Sequence, residues 1–172
     1  MSLISKWSAV VGASLLALVA LTWPVRINTT KSIPVGFYWM TSDPVKKGSY
    51  VIFCPPETEL FETAKARGYI GAGFCPGGYG YMMKRVAAVK GDAVVIAADG
   101  VHVNGELLPL SVPRAADKAG RPIPRSKTDR YTLGASELLL MSDVSGTSFD
   151  GRYFGPIHRK QVQGVIRPIL TW

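Results

Sequence analysis

Between Trp7 and Val25 the chain reads WSAVVGASLLALVALTWPV, 19 residues without a charge. A helix of that length spans about 28 Å, close to the ~30 Å hydrocarbon core of a bilayer. Trp7 and Trp23 stand near its ends, where interfacial aromatic side chains belong. Two readings compete, a retained anchor and a cleaved signal peptide. The run is long and no clean small-x-small site precedes Pro24, which favours the anchor. Lys6 before the run and Arg26 after it give little charge bias. The expectation is therefore a cytoplasmic tip and transmembrane anchor over residues 1–27, followed by an exported domain over residues 28–172.

The remainder is large enough for one globular domain. The chain has 172 residues, 47% of them apolar and 19% charged, which excludes a disordered tail. Its 18 glycines and 12 prolines favour a turn-rich, strand-rich body over a helical bundle. The net charge of +8 suits anionic lipid or nucleic acid. No nucleic-acid module is recognisable and a membrane segment is, so no nucleic acid is expected as a partner. Cys54 and Cys75 both fall in the exported part. An oxidising compartment favours one disulfide between them over two buried thiols. His102 and His158 lack ligand spacing to the cysteines, so neither a metal nor another cofactor is expected.

Along the chain, Gly48–Cys54 reads as a strand and Glu57–Arg67 as a short amphipathic helix, with Leu60, Phe61 and Ala64 on one face and Gly68 to end it. FCPGGYGY reads as a loop and Tyr81–Val89 as a long strand. AVVIA, VHV and ELLPL follow, separated by tight turns at ADG and NG. Residues 111–130 are polar and basic, with Arg114, Lys118, Arg121, Arg125, Lys127 and Arg130, and read as a surface excursion. ELLLMSD and GVIRPIL close the series as strands. Connections are short and no βαβ rhythm appears, so the domain is expected to be mainly β, an antiparallel coiled sheet with one short helix.

Three stretches do not fit a bland β-domain. Directly after the apolar run, TTKSIPVGFYW places Ser32 on a bend stiffened by Pro34 and turned by Gly36. Ser32 lies seven residues past Val25, within roughly 25 Å of the run's end even fully extended. In the strand YMMKRVAAV, Met82, Lys84, Val86 and Ala88 share one face, and Met83, Arg85, Ala87 and Val89 share the other. Each face holds one cation among apolar groups. An edge lysine reaching solvent is the ordinary explanation of such a residue. A buried lysine would lose proton affinity and become a base, a change arginine cannot make. The third stretch, SDVSGTSFDGRYFG, concentrates hydroxyls, Asp150 and Arg152 between two strands, as a polar loop or as something more specific.

Taken in order, these stretches resemble the signal peptidase I superfamily, and specifically the TraF-type conjugative transfer peptidases. Ser32-Ile33-Pro34-Val35-Gly36-Phe37-Tyr38 matches the nucleophile motif S-x-P-x-G-x-Y. Lys84-Arg85-Val86-Ala87-Ala88-Val89-Lys90-Gly91-Asp92 matches the base motif K-R-V-x-A-x-x-G-D. Ser148 to Gly155 resembles the C-terminal box. The resemblance covers nearly the whole chain. It departs from the common signal peptidases at Ile33, at Ser142-Asp143-Val144 and at Gly151, which favours the specialised branch over general presecretory cleavage. It implies a barrel-like signal-peptidase fold, a Ser32 nucleophile and a Lys84 general base. It further implies that Ser148 orients the lysine, that Asp150 pairs with Arg152 or tunes Lys84, and that Thr30 donates to the oxyanion. The implied setting is the bacterial inner membrane, single-pass, with the catalytic domain in the periplasm. The implied substrate is a membrane-embedded pilin precursor, cut and in some cases cyclised, beside the phospholipid bilayer and components of a transfer apparatus. Two alternatives stay open at this point: a general signal peptidase, and an anchored assembly factor without catalysis.

Overall fold

The computed structural model describes residues 24–126 and 129–172. The apolar run up to Trp23 and Lys127 of the basic excursion lie outside the described residues. Among the described residues no helix is long and apolar enough to cross a membrane.

The chain forms two antiparallel sheets. The larger has seven strands: β1 (Val25–Asn28), β2 (Gly36–Thr41), β3 (Tyr50–Phe53), β5 (Met82–Ala88), β10 (Glu137–Met141), β11 (Ile157–His158) and β12 (Val162–Thr171). Their spatial order is β1-β2-β12-β3-β5-β10-β11. The smaller sheet contains β6 (Ala93–Ala97), β7 (Gly100–Val103), β8 (Glu106–Leu107) and β9 (Arg130–Thr132), in the order β8-β7-β6-β9. Strand β4 (Ala72–Cys75) makes isolated bridges to Tyr79. Helix α1 (Glu59–Ala66) buries Phe61 and Ala64. A one-turn helix, α2 (Gly151–Phe154), is set in what read from the sequence as a polar loop, so the described residues hold two short α-helices where one was expected.

Strand β10 joins the halves. Its run Leu138-Leu139-Leu140-Met141 is buried on both faces. Leu138 and Leu140 pack with Phe53, Phe61, Phe149 and Tyr153, whereas Leu139 and Met141 pack with Val94, Val101 and Leu133 under the smaller sheet. A strand covered on both sides needs a continuous apolar run rather than alternation. Gly151 is forced by the same closeness: a Cβ there would stand 2.6 Å from Leu139 Cδ1 and 2.9 Å from the Leu140 carbonyl oxygen. That contact explains the glycine where the related box often has serine.

Two parts of the pattern differ from the sequence reading. Val25, Arg26 and Ile27, assigned there to the anchor unit, belong to β1 and pair with Trp39, Tyr38 and Phe37 of β2. The basic excursion ends in β9, where Arg130, Tyr131 and Thr132 pair with β6. Cys54 and Cys75 are joined by a disulfide that brackets α1, with Cα atoms 5.4 Å apart.

Candidate active site

The turn between β1 and β2 is held from both ends. Ile33 is fully buried with Tyr38, Ile52 and Ile166, which fastens the residue after Ser32 to the sheet. The Tyr38 hydroxyl donates to the Pro34 carbonyl at 2.6 Å. Burial pushes that phenol up to about 12, so it stays a donor at any physiological pH. Gly36 has φ +153° and no room for a Cβ, which would stand 2.1 Å from the Leu170 carbonyl oxygen.

Asn28 organises the turn. It is buried, and its Nδ2 donates to the carbonyls of Thr30 (2.7 Å), Ile33 (2.9 Å) and Pro34 (3.0 Å). Carbonyl oxygens only accept, so the amide is fixed with Oδ1 facing Thr30. Oδ1 accepts from the Thr30 backbone N–H at 3.2 Å and from the Thr30 hydroxyl at 3.0 Å. Ser32 Oγ lies 2.9 Å from Thr30 Oγ1. With the Thr30 proton committed to Asn28, the Ser32 hydroxyl donates to Thr30, and its proton points along the turn. The sequence reading passed over Asn28. An asparagine before a turn is an unremarkable residue, and only the closed bend brings three carbonyls to it.

Lys84 sits on the buried face of β5, between Met82 and Val86, and is 3% exposed. Burial lowers its amine from the ordinary 10.5 to about 8; the Asp150 carboxylate opposes this shift and the Arg152 guanidinium assists it. Arg85 faces outward, with Nη1 3.8 Å from the Asp143 carboxylate. The two cations that looked equivalent in the sequence are thereby separated by environment.

Asp150 and Arg152, whose charges both bear on Lys84, are buried at 0% and 1% exposure. Arg152 donates from Nε to Asp150 Oδ1 at 2.7 Å and from Nη2 to Oδ2 at 2.8 Å. Asp150 also accepts from the backbone N–H groups of Ser142 and Arg152. A buried charge pair is tolerated when its remaining groups are bonded, and Nη1 of Arg152 donates to the carbonyls of Leu110, Val112 and Gly146.

Ser32, Thr30, Lys84 and Ser148 line one cleft of about 650 Å³. Its other walls are Tyr69–Gly71, Tyr81–Met83 and part of the segment 114–123. His102 bonds to Asp99, and His158 caps the short turn after β11, so both are engaged in local structure. Among the described residues no group of three His, Cys, Asp or Glu side chains could hold a metal ion.

A buried lysine of lowered proton affinity and a turn-held serine in one cleft are the elements of a serine–lysine hydrolase. The family model of the signal peptidases, peptidase S26, matches residues 1–172. This chain belongs to the S26 signal peptidase family. Peptidases of that family in general work through a serine and a lysine. Similar members include a plasmid transfer protein TraF from Escherichia coli, 68% identical over 162 residues, covering 94% of this chain and 91% of that protein. A second Escherichia coli plasmid transfer protein TraF is 60% identical over 171 residues, covering 98% and 97%. The conjugal transfer protein TraF of Agrobacterium tumefaciens strain 15955 is 34% identical over 166 residues, covering 95% and 92%. In S26 terms this member carries Ile33 after its candidate nucleophile, and that isoleucine is a core residue here.

Proposed function

We propose that this chain is a membrane-anchored serine endopeptidase of the bacterial inner membrane, whose periplasmic domain processes an exported pilin precursor for conjugative transfer. One observation carries the catalytic part: Lys84, lowered to about 8 by burial, lines the cleft that holds Ser32. At pH 7 roughly one Lys84 amine in ten is neutral, enough for a base. The similarity to proteins named for plasmid and conjugal transfer supports the conjugative setting.

The reaction runs in two stages. The Ser32 hydroxyl turns from Thr30, gives its proton to neutral Lys84 and attacks the scissile carbonyl carbon. The Ser32 backbone N–H and the Thr30 hydroxyl, turned from Asn28, donate to the oxyanion. The Lys84 ammonium then protonates the leaving amine, and the Ser32 ester remains. Water resolves it to a linear product, and the substrate's own terminal amine resolves it to a cyclic one. Ser148, which lines the same cleft from the box loop, orients the lysine amine, and the Asp150–Arg152 pair sets its electrostatic surroundings.

An apolar patch supports a bilayer beside the cleft. Ile27 pairs with Phe37, Phe37 pairs with Leu170, and the Trp172 ring lies 5.9 Å from Phe37; all four side chains are exposed. The patch lies on β1, β2 and β12, where the apolar run joins the sheet.

The test is precursor processing by full-length, membrane-inserted protein, read by mass spectrometry of the product. Ser32→Ala and Lys84→Arg should each abolish it, because arginine keeps the charge but cannot take up a proton. Processing by Lys84→Arg near the wild-type rate would remove the serine–lysine reading.

A further inference from the structure

The cleft has one wall that serine–lysine chemistry does not require. Of the basic excursion, Arg114, Ala116–Ala119, Arg121 and Ile123 line the cleft with Ser32 and Lys84. This wall is built, not loose. Asp117 Oδ2 accepts from the Tyr69 hydroxyl at 2.7 Å and from Arg121 Nε at 2.8 Å. Asp117 Oδ1 accepts from the backbone N–H groups of Ala119 and Arg121, each at 2.9 Å. The Arg114 N–H donates to the Tyr153 hydroxyl at 3.0 Å, and the Ile123 N–H donates to the Ala115 carbonyl at 3.0 Å.

The charges within the cleft do not balance. Asp117 is the one carboxylate among its described lining residues, and Arg121 takes its charge in an ion pair at 2.7 Å. Lys31, Arg114 and Lys118 line the same cleft, and none of them is in an ion pair within the described residues. Lys31 directly precedes Ser32, so the positive field begins at the nucleophile. A concave site with charge of one sign focuses the opposite charge.

We propose that this wall is a substrate subsite for a carboxylate carried by the peptide near the scissile bond, either an acidic side chain or a free C-terminus. The proposal rests on the peptidase reading and adds the chemical class of its substrate. An anionic lipid headgroup is the poorer fit, because the cations face the cleft while the apolar patch lies on β1, β2 and β12.

The experiment measures binding to full-length Ser32→Ala protein in nanodiscs of neutral phosphatidylcholine. Three N-terminally labelled Ala/Gly-based decapeptides serve as probes: one with a central Glu and an amidated end, one with Gln and a free carboxylate, and one with Gln and an amidated end. Several weak exposed ion pairs act together here, so the carboxylate peptides should bind about tenfold tighter than the neutral one at low salt. The difference should shrink towards twofold near ~0.5 M salt. Arg114→Glu combined with Lys118→Glu should erase it. The tighter of the two carboxylate peptides identifies the source of the charge. Equal affinities of all three peptides, no binding of either carboxylate peptide up to ~1 mM, or a preference untouched by charge reversal overturns the subsite. So does affinity that follows anionic lipid in the nanodisc instead of peptide charge. Cleavage by the wild type is scored separately: preferential binding without cleavage removes the peptidase reading and leaves the subsite, and cleavage without preference does the reverse.

Discussion

Lys84 costs the fold something that its chemistry returns. Its amine is held near 8 in the folded chain, against 10.5 ordinarily. Between those two values the unfolded chain binds the extra proton, so stability rises with pH across that window and is lowest below it. The full penalty below pH 8 is about 3 kcal/mol. Lys84→Met should therefore unfold at higher denaturant at pH 7, by about 2–3 kcal/mol, with the gain fading as pH rises from about 8 to 10.5 and with no activity left. A gain independent of pH would mean that the amine is not desolvated. Asn28 makes a different prediction. Asn28→Ala leaves three carbonyls short of a donor and releases Thr30, so kcat/KM should fall at least ~10-fold and stability by about 1–3 kcal/mol. Thr30→Val should then add little in that background, because both act on one hydroxyl chain; additive losses would separate them. Lys84 was legible because it matches the base position of the K-R-V-x-A-x-x-G-D motif, whereas strand alternation alone left it equivalent to Arg85. Asn28 was not, because its five bonds exist only after the bend closes.

At the level of elements, the long strands and the helix were readable from side-chain periodicity, and the failures have a shared cause. β1 and β9 are stabilised mainly by what they pair with: β9 has three residues, and β1 begins inside an apolar run. Neither has a pattern of its own to display. Gly151 and the short helix α2 are set by contact with β10, a constraint written in another part of the chain. The disulfide belongs to this scale as well. It closes a loop across a separation of 21 residues around α1, which in the chain-entropy model contributes about 3 kcal/mol. Replacing Cys54 and Cys75 by serine together should lower unfolding stability by roughly that amount while leaving the pH dependence of turnover unchanged. A changed pH profile would show that the α1 loop also supports the lysine.

For the whole molecule, the apolar patch and the cleft are built on the same end strands. Ile27 of β1 lines the cleft and belongs to the patch, and β1 leads directly into the Ser32 turn. Leu170→Glu combined with Trp172→Glu should therefore slow processing of a membrane-embedded precursor about tenfold or more while sparing a short soluble peptide, since a charge pressed into lipid costs ~2–3 kcal/mol. Equal slowing of both substrates would show that the patch supports the fold and not a bilayer contact. Arg152 connects the molecule in another direction. One guanidinium bonds to Asp150 and to the Leu110 and Val112 carbonyls, where the basic wall begins. Its charge also bears on the Lys84 amine. A lineage that remodels the root of that wall to accept a new precursor would shift its pH optimum in the same step, so substrate range and working pH should drift together among descendants of this chain.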